Sequence, residues 1–225
     1  MKLIMESWRK HLTELDDFDL STFKLKETLN PKIWTNEELK PEVAQKLMEI
    51  ANDFWNGLDL KHVEIVDIII TGSIANYNWT KMSDIDLHIL VNFADVDENI
   101  ELVEAYFRNV RANWNRTHDI RIKGHEVEMY VQEASEPHVS TGVYSLFRDE
   151  WETTPAYQEV AIDEAQVVRK ADCLMDLVDD VEKVYEMGNH AEANAEAKRL
   201  MAKIRDFRKC GLETGGEFSP ENLAF

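Results

Sequence analysis

Three short stretches carry residues whose types and spacing suit chemistry. Gly72-Ser73 follows one apolar run, Asp84 and Asp86 open a second, and Glu126 and Glu128 alternate with Val127 and Met129 in a third. Alternate residues of a strand share a face. Asp84, Asp86 and His88 therefore point one way, while Ile85, Leu87 and Ile89 point into a core. Carboxylates two positions apart lie roughly 6.7 Å from each other along a strand. Two unit charges about 4 Å apart repel by roughly 4 kcal/mol at an effective dielectric of about 20, and a cation between them reverses the sign. Hard oxygen donors of this kind suit Mg²⁺ or Mn²⁺. Gly72 lets a backbone approach a ligand closely. Ser73 is placed to open a short helix, whose backbone N–H groups attract phosphate. A phosphate cradle beside a divalent-metal site outlines phosphoryl or nucleotidyl transfer. Glu126 and Glu128 share one face, so periodicity alone leaves the choice between them open.

Those residues need elements to hold them. The run "VEIVDIIIT" (63–71) is rich in β-branched residues and reads as a buried strand; "DIDLHILV" (84–91) is the next. Asp95 with Glu98 looks like a capping box for a helix carrying Ile100, Val103, Phe107, Val110 and Trp114 at helical spacing. "HDIRIKGHEVEMYVQ" (118–132) predicts a hairpin turning at Lys123-Gly124. Upstream, Pro41 suits the first turn of a helix with the stripe Val43, Leu47, Ile50 and Phe54, ending near Gly57. Leu3, Ile4, Trp8 and Leu12 suit a short helix before it. After Pro155 the composition turns to Ala, Glu, Lys and Leu up to about Cys210. That predicts two long helices broken near "EMGNH" (186–190), followed by a Gly-rich turn.

Composition bounds the partners. The chain has 225 residues, 44% hydrophobic, enough to bury a core. A net charge of −19 disfavours duplex DNA unless a local basic patch overrides it. Cys173 and Cys210 make neither a disulfide framework nor zinc spacing, and no apolar run approaches a membrane span. The opening apolar run is too short for a signal peptide, so the expected setting is a reducing cytoplasm.

Gly72-Ser73, ten residues, then Asp84-Ile85-Asp86-Leu87 resembles the signature of the DNA polymerase β-like nucleotidyltransferase superfamily, and the likeness covers about residues 61–135. That family adds a third acid between apolar residues on a later strand. Val127-Glu128-Met129 matches it best, with Glu126 second, although Glu replaces the commoner Asp. The opening "MKLIMESWRK" also resembles uncharacterised nucleotidyltransferase-like proteins of tailed phages, which implies a host cytoplasm. The resemblance implies an α+β fold: a small mixed sheet packed by helices over 61–155, a helical N-terminal arm over 1–60 and a helical C-terminal lobe over 156–225. It further implies that a nucleoside triphosphate such as ATP binds at Gly72 and Ser73. Asp84, Asp86 and Glu128 would hold two Mg²⁺ or Mn²⁺ ions, and Glu128 would help deprotonate an acceptor hydroxyl. The acceptor class stays open between protein, RNA end and small molecule. A catalytically inactive nucleotide-binding or interaction module on the same fold is the alternative.

Other candidates have plainer readings. His88 reads as a polar neighbour of the acids, and "STGVYS" (140–145) as a turn into a strand, with ribose contact as the functional option. Lys198 to Lys209 is a basic helix face whose default is a solvated ridge; Lys198 and Lys203 are the candidate triphosphate contacts. "DVDEN" at Asp95 lacks the glycine and terminal Glu of a calcium loop.

Overall fold

A computed structural model of the chain describes residues 24–138, 140–157, 164–216 and 219. It divides into two compact units, one spanning residues 25–158 and a second whose described part is a helical pair. The helix expected over residues 3–12 lies outside the described residues, as does most of the closing segment.

The first unit is built on a six-stranded mixed sheet with the order β5-β6-β4-β3-β7-β8. Its strands are β3 (Ile65–Thr71), β4 (Ile85–Val91), β5 (Arg121–Ile122), β6 (His125–Glu133), β7 (Val143–Ser145) and β8 (Glu150–Thr153). β3 and β4 pair antiparallel, with Thr71 opposite Asp86. β4 and β6 pair parallel, which requires a crossover; helix α2 (Ile100–Thr117) supplies it. Ile68, Ile70, Ile85, Leu87, Ile89 and Met129 are fully buried against Val43, Leu47 and Phe54 of helix α1 (Pro41–Asn56) and Val103 and Phe107 of α2. Each such side chain contributes about 1.5–3 kcal/mol of burial. The other sheet face carries the candidate carboxylates.

Local details depart from the sequence reading. The helical arm expected over 1–60 is helical, among its described residues, from Pro41 onward. Trp34–Thr35 (β1) and Glu38–Leu39 (β2) form a two-stranded ribbon instead. Trp34 stacks on Trp151 and meets Tyr144 edge-on, so the ribbon is pinned by aromatic packing. α2 starts later than the expected capping box. Phe93–Asp95 is a single 3₁₀ turn, and Asn99 is the cap, its side chain accepting from the Leu102 N–H at 3.2 Å. Beyond β5, Asn115 on α2 bonds both the N–H and the carbonyl of Met129, which closes the outer edge of β6. Asp67, a charge inside β3, is buried beside Ser145, which donates to it, and is paired at 3.1 Å with the exposed Arg148.

The second unit contains α3 (Glu164–Glu186) and α4 (His190–Gly215), broken between Met187 and Asn189 as expected. α4 runs on through residues 211–215, where a turn is expected, and ends at Gly216 in the left-handed region. Among the described residues, no helix is long and apolar enough to cross a membrane.

Candidate active site

The β3–β4 connection sets the site. Gly72 leaves β3 at φ 76°, ψ −165°, a conformation essentially reserved for glycine. An ideal Cβ there would overlap the Asp86 carboxylate oxygen and lie 3.2 Å from its Cγ. Glycine therefore lets the turn lie directly on the Asp86 side chain. The helix expected at Ser73 is one 3₁₀ turn, Ser73–Ala75, so a macrodipole contributes little. Close backbone approach is what this turn offers a phosphate.

The turn is held from several directions. The Trp34 indole N–H donates to the Ile74 carbonyl at 2.8 Å. Asn76 donates to the Thr141 hydroxyl, and the Gly72 N–H points at Ser140 Oγ, 3.4 Å away. The hydroxyl-rich stretch 140–145 thus braces the glycine turn before entering β7. Gly142 permits this contact, because a Cβ at that position would overlap the Ala75 carbonyl oxygen. Backbone on both sides leaves no flexible group to move aside. We expect Gly142→Ala to lower stability by about 1–3 kcal/mol, read as a fall in melting temperature. An unchanged melting temperature would show that the brace is loose.

The acids come together by strand register. Asp86 on β4 is the direct partner of Glu128 on β6, so the two side chains share a face on adjacent strands about 4.8 Å apart. Like charges directly opposite each other are destabilising. Asp84 lies one residue before β4. Glu126 instead opposes Arg121 and pairs with it at 3.4 Å, on the outer side of β6. Glu128 also has an immediate partner, because the Tyr130 hydroxyl donates to its Oε2 at 2.7 Å. Burial, then the Asp86 charge and the Glu128 bond, push the Tyr130 hydroxyl well above the ordinary tyrosine range, so it stays a donor.

Tyr130 is sandwiched. His88 stacks on it at 4.5 Å between ring centroids, and the Arg111 guanidinium from α2 lies 4.6 Å from the ring centroid. Burial pushes the His88 imidazole down to about 4, and His88 Nδ1 sits 2.9 Å from Gln132 Oε1. His88 is thus a neutral, packed member of the face, as its plainer reading had it.

Asp86 and Glu128 offer carboxylate oxygens in register, with Asp84 one residue before the strand, and oxygen donors suit Mg²⁺ or Mn²⁺. As the side chains stand, no group of three His, Cys, Asp or Glu among the described residues is closed tightly enough to hold an ion. Lys198 and Lys203 are exposed on α4, in the other unit; Lys203 Nζ lies 5.9 Å from the Phe207 ring centroid.

Several contributors have no local signature in the sequence. Asn30, Ser83, His125 and Arg111 reach the site through contacts between distant segments, and Tyr130 reaches Glu128 from two residues along the same strand.

Residues 49–143 match the model of a family described as a nucleotidyltransferase domain. No curated protein and no solved structure matches the chain.

Proposed function

We propose, from the match of residues 49–143 to a nucleotidyltransferase domain, that the chain moves a nucleoside monophosphate from a nucleoside triphosphate, ATP being the first to test, to an acceptor hydroxyl. The observation that carries this reading is the Asp86–Glu128 register pair, with Asp86 lying against the Gly72 turn. The turn at Gly72 and Ser73 would take the triphosphate by backbone approach. Asp84, Asp86 and Glu128 would hold Mg²⁺ or Mn²⁺, which when bound neutralises phosphate charge and acidifies a nearby hydroxyl. Glu128 would receive the acceptor proton at Oε1 while Tyr130 keeps Oε2 occupied. The acceptor oxygen attacks the α-phosphorus, the bond to the bridging oxygen of the β-phosphate breaks, and pyrophosphate leaves. Protein hydroxyl, RNA end and small molecule are the acceptor classes in play, in a cytoplasmic setting.

A second reading, a nucleotide-binding module without turnover, draws on the longer third acid and its engagement by Tyr130. Two variants test the choice. Glu128→Gln is expected to lose most transfer, on the order of 10²-fold, while still binding triphosphate. Glu126→Gln is expected to stay within about 3-fold of wild type, because it loses only a surface ion pair worth about 0–1 kcal/mol. A dead Glu126→Gln beside an active Glu128→Gln would move the third acid by one pleat repeat.

A further inference from the structure

Asp84 has a weakness as a ligand. It precedes β4, so the sheet ladder that fixes Asp86 does not extend to it. A metal ligand needs a fixed backbone, because ordering a residue on binding subtracts from affinity.

A buried relay holds the peptide that leads into Asp84. His125 opens β6 and is 3% exposed; Asn30, from the segment before β1, is 1% exposed. The Lys32 N–H donates to Asn30 Oδ1 at 2.9 Å, which sets the orientation of the amide. Asn30 Nδ2 then faces His125 Nε2 at 3.0 Å. An amide NH₂ can only donate, so Nε2 accepts and Nδ1 carries the proton. That Nδ1–H meets the Ser83 carbonyl oxygen at 2.6 Å. The Ser83 carbonyl belongs to the peptide unit that joins Ser83 to Asp84. The Ser83 side chain is held as well: its Oγ accepts from the Ser73 hydroxyl at 2.7 Å and from the Thr80 N–H at 2.9 Å. One short network therefore ties the N-terminal segment, the start of β6, the glycine turn and the Asp84 backbone together.

We infer that His125, oriented by Asn30, is a positioning residue for Asp84: its Nδ1–H fixes the Ser83–Asp84 peptide and so presents the Asp84 carboxylate beside Asp86. This deepens the transferase reading and rests on it for Asp84 being a ligand. The sequence hides the relay, because its members lie 95 and 42 residues apart.

Two substitutions separate positioning from packing in the full chain. In His125→Asn the amide nitrogen can take the place of Nδ1 and keep the donor to Ser83. In His125→Gln the amide reaches the place of Nε2 and keeps Asn30, but loses the donor to Ser83. Residues that orient metal ligands change metal affinity or activity about 10–100-fold when replaced. We expect His125→Gln to weaken Mn²⁺ binding, read by electron paramagnetic resonance, by about 10-fold or more, and to lower kcat more than the triphosphate KM. Hydrogen exchange at the Asp84 and Ile85 amides should quicken in His125→Gln. His125→Asn should stay close to wild type in all three readouts. If both histidine variants fail to fold, Asn30→Leu carries the test, with a smaller change in the same direction for exchange and Mn²⁺ affinity.

Equal losses in His125→Asn and His125→Gln that follow a common fall in melting temperature would overturn the proposal. So would unchanged Mn²⁺ affinity and exchange in His125→Gln or, where that variant does not fold, in Asn30→Leu. A wild type that transfers no nucleotide, but still shows the split in Mn²⁺ affinity and exchange, would sink the transferase reading and leave the positioning role standing.

Discussion

Asp86→Ala is expected to reduce nucleotidyl transfer by about 10³-fold or more while leaving the chain folded. Asp86 lies in the middle of the arrangement, opposite Thr71 on β3 and Glu128 on β6, with the Gly72 turn against its carboxylate. Removing it removes a metal ligand shared by every version of the proposed chemistry. Several kcal/mol of charge stabilisation depend on such an ion, and each 1.36 kcal/mol is a factor of ten in rate. Stability should move the other way. Asp86 faces away from the Ile85–Leu87–Ile89 core, and its loss relieves repulsion with Glu128. The metal-free variant should therefore melt no lower than wild type, and added Mg²⁺ should raise its melting temperature less. Transfer at the wild-type rate would remove Asp86 from the catalytic assignment.

Gly72→Ala should be nearly as damaging to triphosphate binding as Gly72→Val. The sequence suggests that a branched side chain would fill the space a phosphate needs. The structure places the obstacle one atom earlier, because the β-carbon itself overlaps the Asp86 carboxylate. The backbone at φ 76°, ψ −165° adds about 1–3 kcal/mol of strain for any residue with a Cβ. The turn must then reshape or Asp86 must swing away, and either one spoils the cradle. Calorimetric titration with a triphosphate should show affinity lowered by about 10-fold or more in both variants, in line with the strain. Ser73→Ala should be milder, since it deletes one hydroxyl bond to Ser83 and leaves the backbone N–H groups in place. Wild-type affinity in Gly72→Ala would remove the turn from phosphate binding.

The elements that hold the site are strongly periodic, and this is why they could be read in advance. β3 and β4 are β-branched or alternating runs, and α2 repeats its apolar residues at helical spacing. The glycine turn and the acid pair were legible because both sit at the ends of such runs. For the third acid a period of two alone cannot distinguish Glu126 from Glu128, and the choice of Glu128 rests on its apolar flanks, Val127 and Met129. Only the parallel register with β4 puts Glu128 opposite Asp86 and leaves Glu126 with Arg121. The ribbon at 34–39 escaped because two-residue strands carry no periodicity; tryptophan packing holds it in place. Asp95 resembled a cap because Asp favours both caps and turns, and Asn99 took the role. The Asn30–His125–Ser83 relay and the Asn115 clasp on β6 join residues far apart in the chain, so no local pattern announces them.

Transfer at the Asp86–Glu128 site is open to one direct measurement. The full chain is incubated with each α-labelled nucleoside triphosphate, Mg²⁺ or Mn²⁺ and a cell lysate as the source of acceptors, in parallel with Asp86→Ala. Label should pass to an acceptor with stoichiometric release of pyrophosphate in the wild type alone. Triphosphate that binds the wild type and is recovered intact, with no more pyrophosphate than Asp86→Ala releases, would contradict it.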